Sequence, residues 1–264
     1  MLQLFYVIAV SGNAYGAVPL KASAGHVTVA RSDGNPFSHA VLDLVKYYGE
    51  PVQKEHAPTG PDECLTGGDG LPAVLVPTVL EFSFDEGRSA HDSLGRGLDA
   101  LLVAWKAAGH PAAWLREDLG PGAGFRLIQT EQVTEAGVAV PWVSPLGTRI
   151  TLEASFDSVD AQVERILGAI PGETIELGDS RTLHWDLKGG DPGAIEAKDE
   201  PARDVMLRAL AKAGAGNAYT YLTHCFMGTP LVTLRGAGGY GRWILGPDGE
   251  MKPPPVEPRV EPAP

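Results

Sequence analysis

The chain has little cysteine, no long hydrophobic run and no basic cluster, and each shortage removes a class of protein. Only Cys64 and Cys225 occur in 264 residues, 161 positions apart and in no CxxC pair. Two cysteines so placed build neither a disulfide framework nor a thiolate metal knuckle, so a reducing, cytoplasmic setting is the expectation. The strongest apolar run, Leu2–Val10, falls well short of the roughly 20 residues that a membrane-spanning helix needs. No Lys or Arg precedes it, so it lacks the basic start of a secretory signal and reads instead as a buried first strand. No membrane association is expected.

Positive charge is also short, with 21 bases against 33 acids and a net charge of −12. The excess is spread, with 9 bases and 14 acids in residues 1–130 and 12 bases and 19 acids in residues 131–264. Such a surface repels a phosphate backbone. Nucleic acid is therefore disfavoured as a ligand, and a basic protein partner is favoured. Gly and Pro, with 33 and 22 residues, make up about a fifth of the chain, below the roughly 25–30% that marks low-complexity disorder. The body is expected to fold, with many tight turns.

What is present is repetition. Leu80-Glu81-Phe82-Ser83-Phe84-Asp85 recurs 72 residues later as Leu152-Glu153-Ala154-Ser155-Phe156-Asp157. Each copy alternates with period two, the signature of a strand with one buried and one wet face. Each is followed by an apolar stripe at helical spacing: Leu94, Leu98, Leu101, Leu102 and Trp105 after the first, Val159, Val163, Ile166, Leu167 and Ile170 after the second. The same stripe appears at Phe37, Val41, Leu44, Val45 and Tyr48 after a short strand His26–Ala30, and a fourth unit is read in Thr182–Lys188 followed by a helix Pro201–Ala213. Gly49 and Gly109 are expected to end their helices, and Asp157 or Ser158 to cap the third. Further strands are expected at Phe125–Thr130, Val138–Val143, Thr174–Leu177, Ala218–Met227, Leu231–Leu234 and Arg242–Leu245.

Half-wet strands do not belong in a doubly covered parallel sheet. The pattern predicts an α+β fold: a two-layer mixed or antiparallel sheet with helices on one face, in two related, ferredoxin-like halves. The halves are expected at 1–145, with a long loop over 50–72, and at 146–250, followed by a proline-rich tail over 251–264 whose stretch Pro253–Pro264 is expected in extended polyproline II form.

Three local patterns offer chemistry. In Thr223-His224-Cys225 a thiol adjoins an imidazole, but neighbours on a strand point to opposite faces, so Cys225 reads as a buried structural thiol and a Cys/His hydrolase as a minor alternative. His184 and Asp186 share a strand face without a third metal ligand. Glu81 with Glu153 and Asp85 with Asp157 could pair as acids across the two halves, or simply line solvated faces. No metal or cofactor is expected.

The densest feature is Arg235-Gly236-Ala237-Gly238-Gly239-Tyr240-Gly241-Arg242. Glycines at this density let backbone amides approach a phosphate, and Arg235 and Arg242 could pair with it. The other reading is a hairpin joining Leu231–Leu234 to Arg242–Leu245, with Gly236, Gly238, Gly239 and Gly241 supplying the turn. Two α+β halves with a glycine-rich loop near the C-terminus are similar in outline to the repeat-associated RNA-binding proteins of CRISPR systems. That resemblance rests on the glycines alone and would imply RNA held at this loop. No pattern supplies nucleophile, base and stabiliser together, so the reading favours a non-catalytic protein-binding module: an inhibitor, an immunity-type antidote or an assembly subunit.

Overall fold

The computed structural model describes residues 20–31, 36–58, 79–110, 112–134, 138–178, 193–213, 218–223, 230–235, 244–245 and 251–252. The first half runs β1 (Leu20–Ser23), β2 (His26–Arg31), α1 (Pro36–Tyr48), β3 (Val52–Glu55), β4 (Leu80–Asp85), α2 (Ala90–Ala107), β5 (Trp114–Gly120) and β6 (Gly124–Gln129). A small hairpin, β7 (Glu131–Val133) with β8 (Ala139–Pro141), and a 3₁₀ turn at Pro145–Gly147 lead onward. The second half runs β9 (Arg149–Ser155), α3 (Val159–Gly168), β10 (Glu176–Leu177), β11 (Ile195–Pro201), α4 (Ala202–Ala213), β12 (Ala218–Thr223) and β13 (Pro230–Arg235). β14 (Ile244–Leu245) pairs with β15 (Met251–Lys252).

Local chemistry accounts for the elements that position everything else. Along β4, Leu80, Phe82 and Phe84 are buried while Glu81, Ser83 and Asp85 are exposed, as the alternation requires. The α1 stripe is buried throughout, and the helix stops where Gly49, at φ +73°, takes the left-handed conformation that costs glycine least. Ser89 caps α2, its hydroxyl accepting from the Asp92 amide at 3.0 Å, and Ser158 caps α3 by accepting from Ala161.

The fold is α+β with mixed and antiparallel sheets. From β2 to β6 and again from β9 to β13 the order is strand, helix, strand, strand, helix, strand, strand. The pairings match as well. β2 pairs antiparallel with β4 and β9 with β11, while β3 runs parallel to β6 and β10 to β13. The hairpins β5–β6 and β12–β13 complete each set. A ferredoxin-like half would hold its strands in one sheet. Here they divide between a small outer sheet and one shared six-stranded sheet, ordered β10-β13-β12-β3-β6-β5.

The shared sheet is continuous because β12 lies parallel to β3, Thr220 beside Lys54 and Tyr221 beside Glu55. Within each half the helix pair packs on one face of its outer sheet. On the shared sheet the two pairs take opposite faces, as side-chain alternation proves: Phe125 and Leu127 enter the first core, whereas Arg126 between them bonds to Asp204 on α4. Two cores follow from this. One joins Phe37, Leu44, Phe82, Leu98, Trp105 and Phe125; the other joins Ile150, Val163, Ile166, Met206, Leu210 and Tyr221.

Three expectations change. The second repeat copy is not a counterpart of the first: β9 ends at Ser155, Phe156 is exposed, and in the order of elements β9 corresponds to β2 and not to β4. Residues 50–72 are not loop throughout, since β3 lies inside that range and sits in the middle of the shared sheet. Leu231–Leu234 is not paired with Ile244–Leu245, since β13 pairs with β12 and β10 while β14 pairs with β15; Arg242 and the turn lie outside the described residues. The strands expected at Leu2–Val10 and Thr182–Lys188 and the tail over 253–264 lie outside the described residues.

Candidate functional site

The most concentrated polar chemistry lies where the halves meet. β3 reads Val-Gln-Lys-Glu, yet all four residues are buried. Val52 belongs to the first core and the Lys54 ammonium donates to the Ser38 hydroxyl of α1 at 3.2 Å, so this face of β3 looks toward α1. Glu55 looks the other way. Its Oε1 accepts from the Tyr219 hydroxyl at 2.8 Å and lies 3.9 Å from Arg126 Nε, and its Oε2 lies 3.3 Å from Arg203 Nη2. Arg126 also donates to Glu117 and to Asp204, each at 2.8 Å. The Gln53 side-chain oxygen accepts from the Tyr219 amide at 2.8 Å.

Glu55 has no exposed surface and the Arg126 side chain has 4%, so removing Glu55 strips Arg126 and Arg203 of their fully buried counter-charge, and removing Arg126 leaves Glu55 with Arg203 alone. Burial and the neighbouring Glu55 carboxylate push the Tyr219 phenol well above its usual range, which keeps it a neutral donor. Several of these bonds connect residues more than 70 positions apart. Their chemistry is that of a weld: they fix the two-residue register of β12 on β3 and hold α4 over β6.

A second cluster fixes the start of α2. The His91 imidazole reaches Glu50 Oε2 at 2.6 Å with Nδ1 and Asp118 Oδ1 at 3.0 Å with Nε2, and its ring stacks on Phe125 at 4.4 Å. Arg116 covers Phe125 and is itself held by Asp99 at 2.7 Å. Burial opposes the His91 charge, but bonds to two carboxylates outweigh it and raise the pKa above the ordinary 6.5. The Gly120 amide and the His91 ring hold Asp118 below the usual carboxylate range.

The outer sheets carry the acids singled out in the sequence. On β4, Asp85 meets His26 at 2.9 Å, Ser83 meets Thr28 at 2.9 Å, and Glu81 stands opposite Ala30. Asp157 bonds to Ser155 and approaches Arg165 at 3.8 Å, and the Glu153 carbonyl accepts from Arg165. The acids of β4 and those at β9 thus lie on different outer sheets with local partners, not face to face. Arg235 ends β13, with its backbone opposite Ala218. Gly236, Gly238, Gly239, Gly241 and Arg242 lie outside the described residues, as do Cys64, Cys225, His184, His224 and Asp186. Among the described residues no three His, Cys, Asp or Glu side chains are grouped to hold a metal ion, and no helix is long and apolar enough to cross a membrane.

No protein-family profile, curated protein or solved structure matches the chain. The weld residues were missed from sequence, although one signal for them existed. Arg126 interrupts the apolar run Phe125-Arg126-Leu127-Ile128, and a cation between two core positions of a strand announces a buried acid on the opposite face.

Proposed function

We propose that the protein is a non-catalytic, cytoplasmic protein-binding module, an inhibitor, immunity-type antidote or assembly subunit built of two related halves, that docks a basic protein partner. The observation that carries this reading is the pair of outer sheets. Each is covered by helices on one face only, and the opposite face is polar and exposed: His26, Glu81, Ser83 and Asp85 in the first half, Thr151, Glu153, Glu196, Lys198 and Asp199 in the second. An ordered, acidic, solvent-facing sheet on a chain of net charge −12 steers a basic partner and repels nucleic acid. The buried weld supports a rigid platform, because its charges are spent within the fold.

Affinity capture from the native host at low ionic strength, followed by mass spectrometry, tests this. One basic protein should be retained stoichiometrically and released by salt. Retention of RNA as the stoichiometric component, or of nothing, would overturn the reading.

A further inference from the structure

The edge of β4, which no strand among the described residues covers, deepens that reading and rests on it. The Glu86 amide donates to the Gly25 carbonyl at 2.7 Å, which makes Gly25 and Glu86 a hydrogen-bonded pair of the antiparallel ladder. Such pairs alternate with non-bonded ones. Phe84 with Val27, Phe82 with Val29 and Leu80 with Arg31 are therefore the bonded pairs, and Asp85, Ser83 and Glu81 the non-bonded ones. The side-chain contacts of Asp85 with His26 and of Ser83 with Thr28 agree, since non-bonded pairs stand closer. The amides and carbonyls of Glu81, Ser83 and Asp85 consequently point away from β2, and among the described residues no strand receives them.

Three other edges among the described residues, those of β5, β10 and β11, are blunted. β5 carries Arg116, Glu117 and Asp118 and breaks register before Gly120. β10 has two residues, and β11 shifts register twice, with Asp199 at φ +52°. These are the devices by which proteins block unwanted strand pairing. β4 carries the charges of Glu81 and Asp85 but no proline, lysine or bulge, and its six consecutive residues pair in unbroken register with β2.

We propose that the β4 edge binds an extended basic segment of a partner protein by strand addition, with Lys or Arg at positions i and i+4 opposite Glu81 and Asp85. Charge selects this occupant over a second copy of the chain. Two β4 edges paired antiparallel about Ser83 would set Glu81 against Asp85 of the other copy, and like charges directly opposite are unfavourable. Lys21, on the same face, lies across the sheet on β1, away from the incoming strand. Side chains at i+1 and i+3 of the partner would lie on the side of Phe82 and Phe84, so apolar residues fit there.

The test uses a labelled peptide with the core Lys-Val-Thr-Val-Lys, its Glu-Val-Thr-Val-Glu counterpart, and the full-length protein. Fluorescence anisotropy should show salt-sensitive binding of the lysine peptide at or below about 100 µM and none of the glutamate peptide. Ser83→Pro should weaken binding at least about tenfold with the fold retained, because proline is tolerated where a strand N–H faces outward. The double variant Glu81→Lys, Asp85→Lys should weaken it likewise. If Ser83→Pro does not fold, the charge variant and amide shifts confined to Glu81, Ser83 and Asp85 decide. Absence of lysine-peptide binding, or binding undiminished in the folded variants, overturns the inference. A natural partner captured equally by wild type and Ser83→Pro would overturn the edge inference and leave the protein-binding reading intact, whereas peptide binding at the edge with no partner captured would count against the broader reading alone.

Discussion

The two halves trace the same order of elements but solve the same packing problem differently. The first is built on aromatics, with Phe37 stacked on Trp114 at 4.7 Å and tilted against Trp105 at 5.0 Å, and its outer sheet is regular. The second is built on aliphatics from α3 and α4, and its outer pair β9–β11 shifts register twice. Its α3 spans 10 residues where the equivalent α1 spans 13, and its α4 spans 12 where α2 spans 18. Topology is thus insensitive to which apolar side chains fill a core, provided the stripes face it. Edge behaviour is not insensitive: register shifts blunt the second half's outer pair, whereas β4 pairs in unbroken register and no strand among the described residues covers its outer edge.

The sharpest way to break the comparison is to cut the weld between the halves. Glu55→Ala leaves Arg126 and Arg203 without their buried carboxylate and should cost about 3–5 kcal/mol, read by urea unfolding followed through tryptophan fluorescence and circular dichroism. If the halves are one cooperative unit, both probes shift together. Separate transitions, with only one displaced, would show two independent domains that merely touch.

Next in size is the packing of α2. A Cβ on Gly97 would lie 2.8 Å from the Phe84 ring and 3.0 Å from Leu44, so Gly97→Ala forces the aromatic core apart. The gain in helix propensity does not offset this, and the expected net loss is about 1–3 kcal/mol, measured as a lower melting temperature.

His91 supplies a pH test confined to the first half. Its folded pKa lies above 6.5, so its stabilising contribution is complete below the unfolded value and is lost as pH rises through the raised one. Asp118 acts with the opposite sign, its share being present above 3.8 and lost as pH falls through its lowered folded value. His91→Gln should therefore lower stability by about 1–2 kcal/mol in mild acid, with the gap to wild type closing as the solution becomes alkaline. A constant gap across that range would show that the imidazolium bridge to Glu50 and Asp118 contributes nothing.

The smallest effect is at a helix glycine of the second half. A Cβ on Gly168 at the end of α3 meets nothing within 4 Å. Gly168→Ala should raise stability by up to about 0.5–1 kcal/mol, seen as a modest rise in melting temperature. Opposite signs at Gly97 and Gly168 would confirm that the two helix pairs differ in packing and not in topology.

Legibility in the sequence followed how local the cause was. β4 could be read because its period-two pattern and its exposed acids lie within six residues, and α1 because its stripe and Gly49 are contiguous. β3 was hidden. Val-Gln-Lys-Glu looks like a solvated turn, and it becomes a buried central strand only because Ser38, Tyr219 and Arg203 meet its polar groups. β5 and β11 escaped for the related reason that edge strands carry charges that mask alternation. Of the sites singled out in the sequence, Glu81 and Asp85 remain prominent through the β4 edge beside them, a feature that depends on pairing with β2.

By itself the sequence determined the acidic charge, three of the strand-to-helix units and the helix ends, because charge, periodicity and capping act over a few residues. Only the tertiary structure decided that the two halves share one sheet, that their helices cover opposite faces of it, and that Glu55, Arg126, Asp204 and Tyr219 meet. Those features depend on pairings across more than 100 residues, such as Thr220 with Lys54, and no local pattern encodes which distant strand satisfies a buried charge.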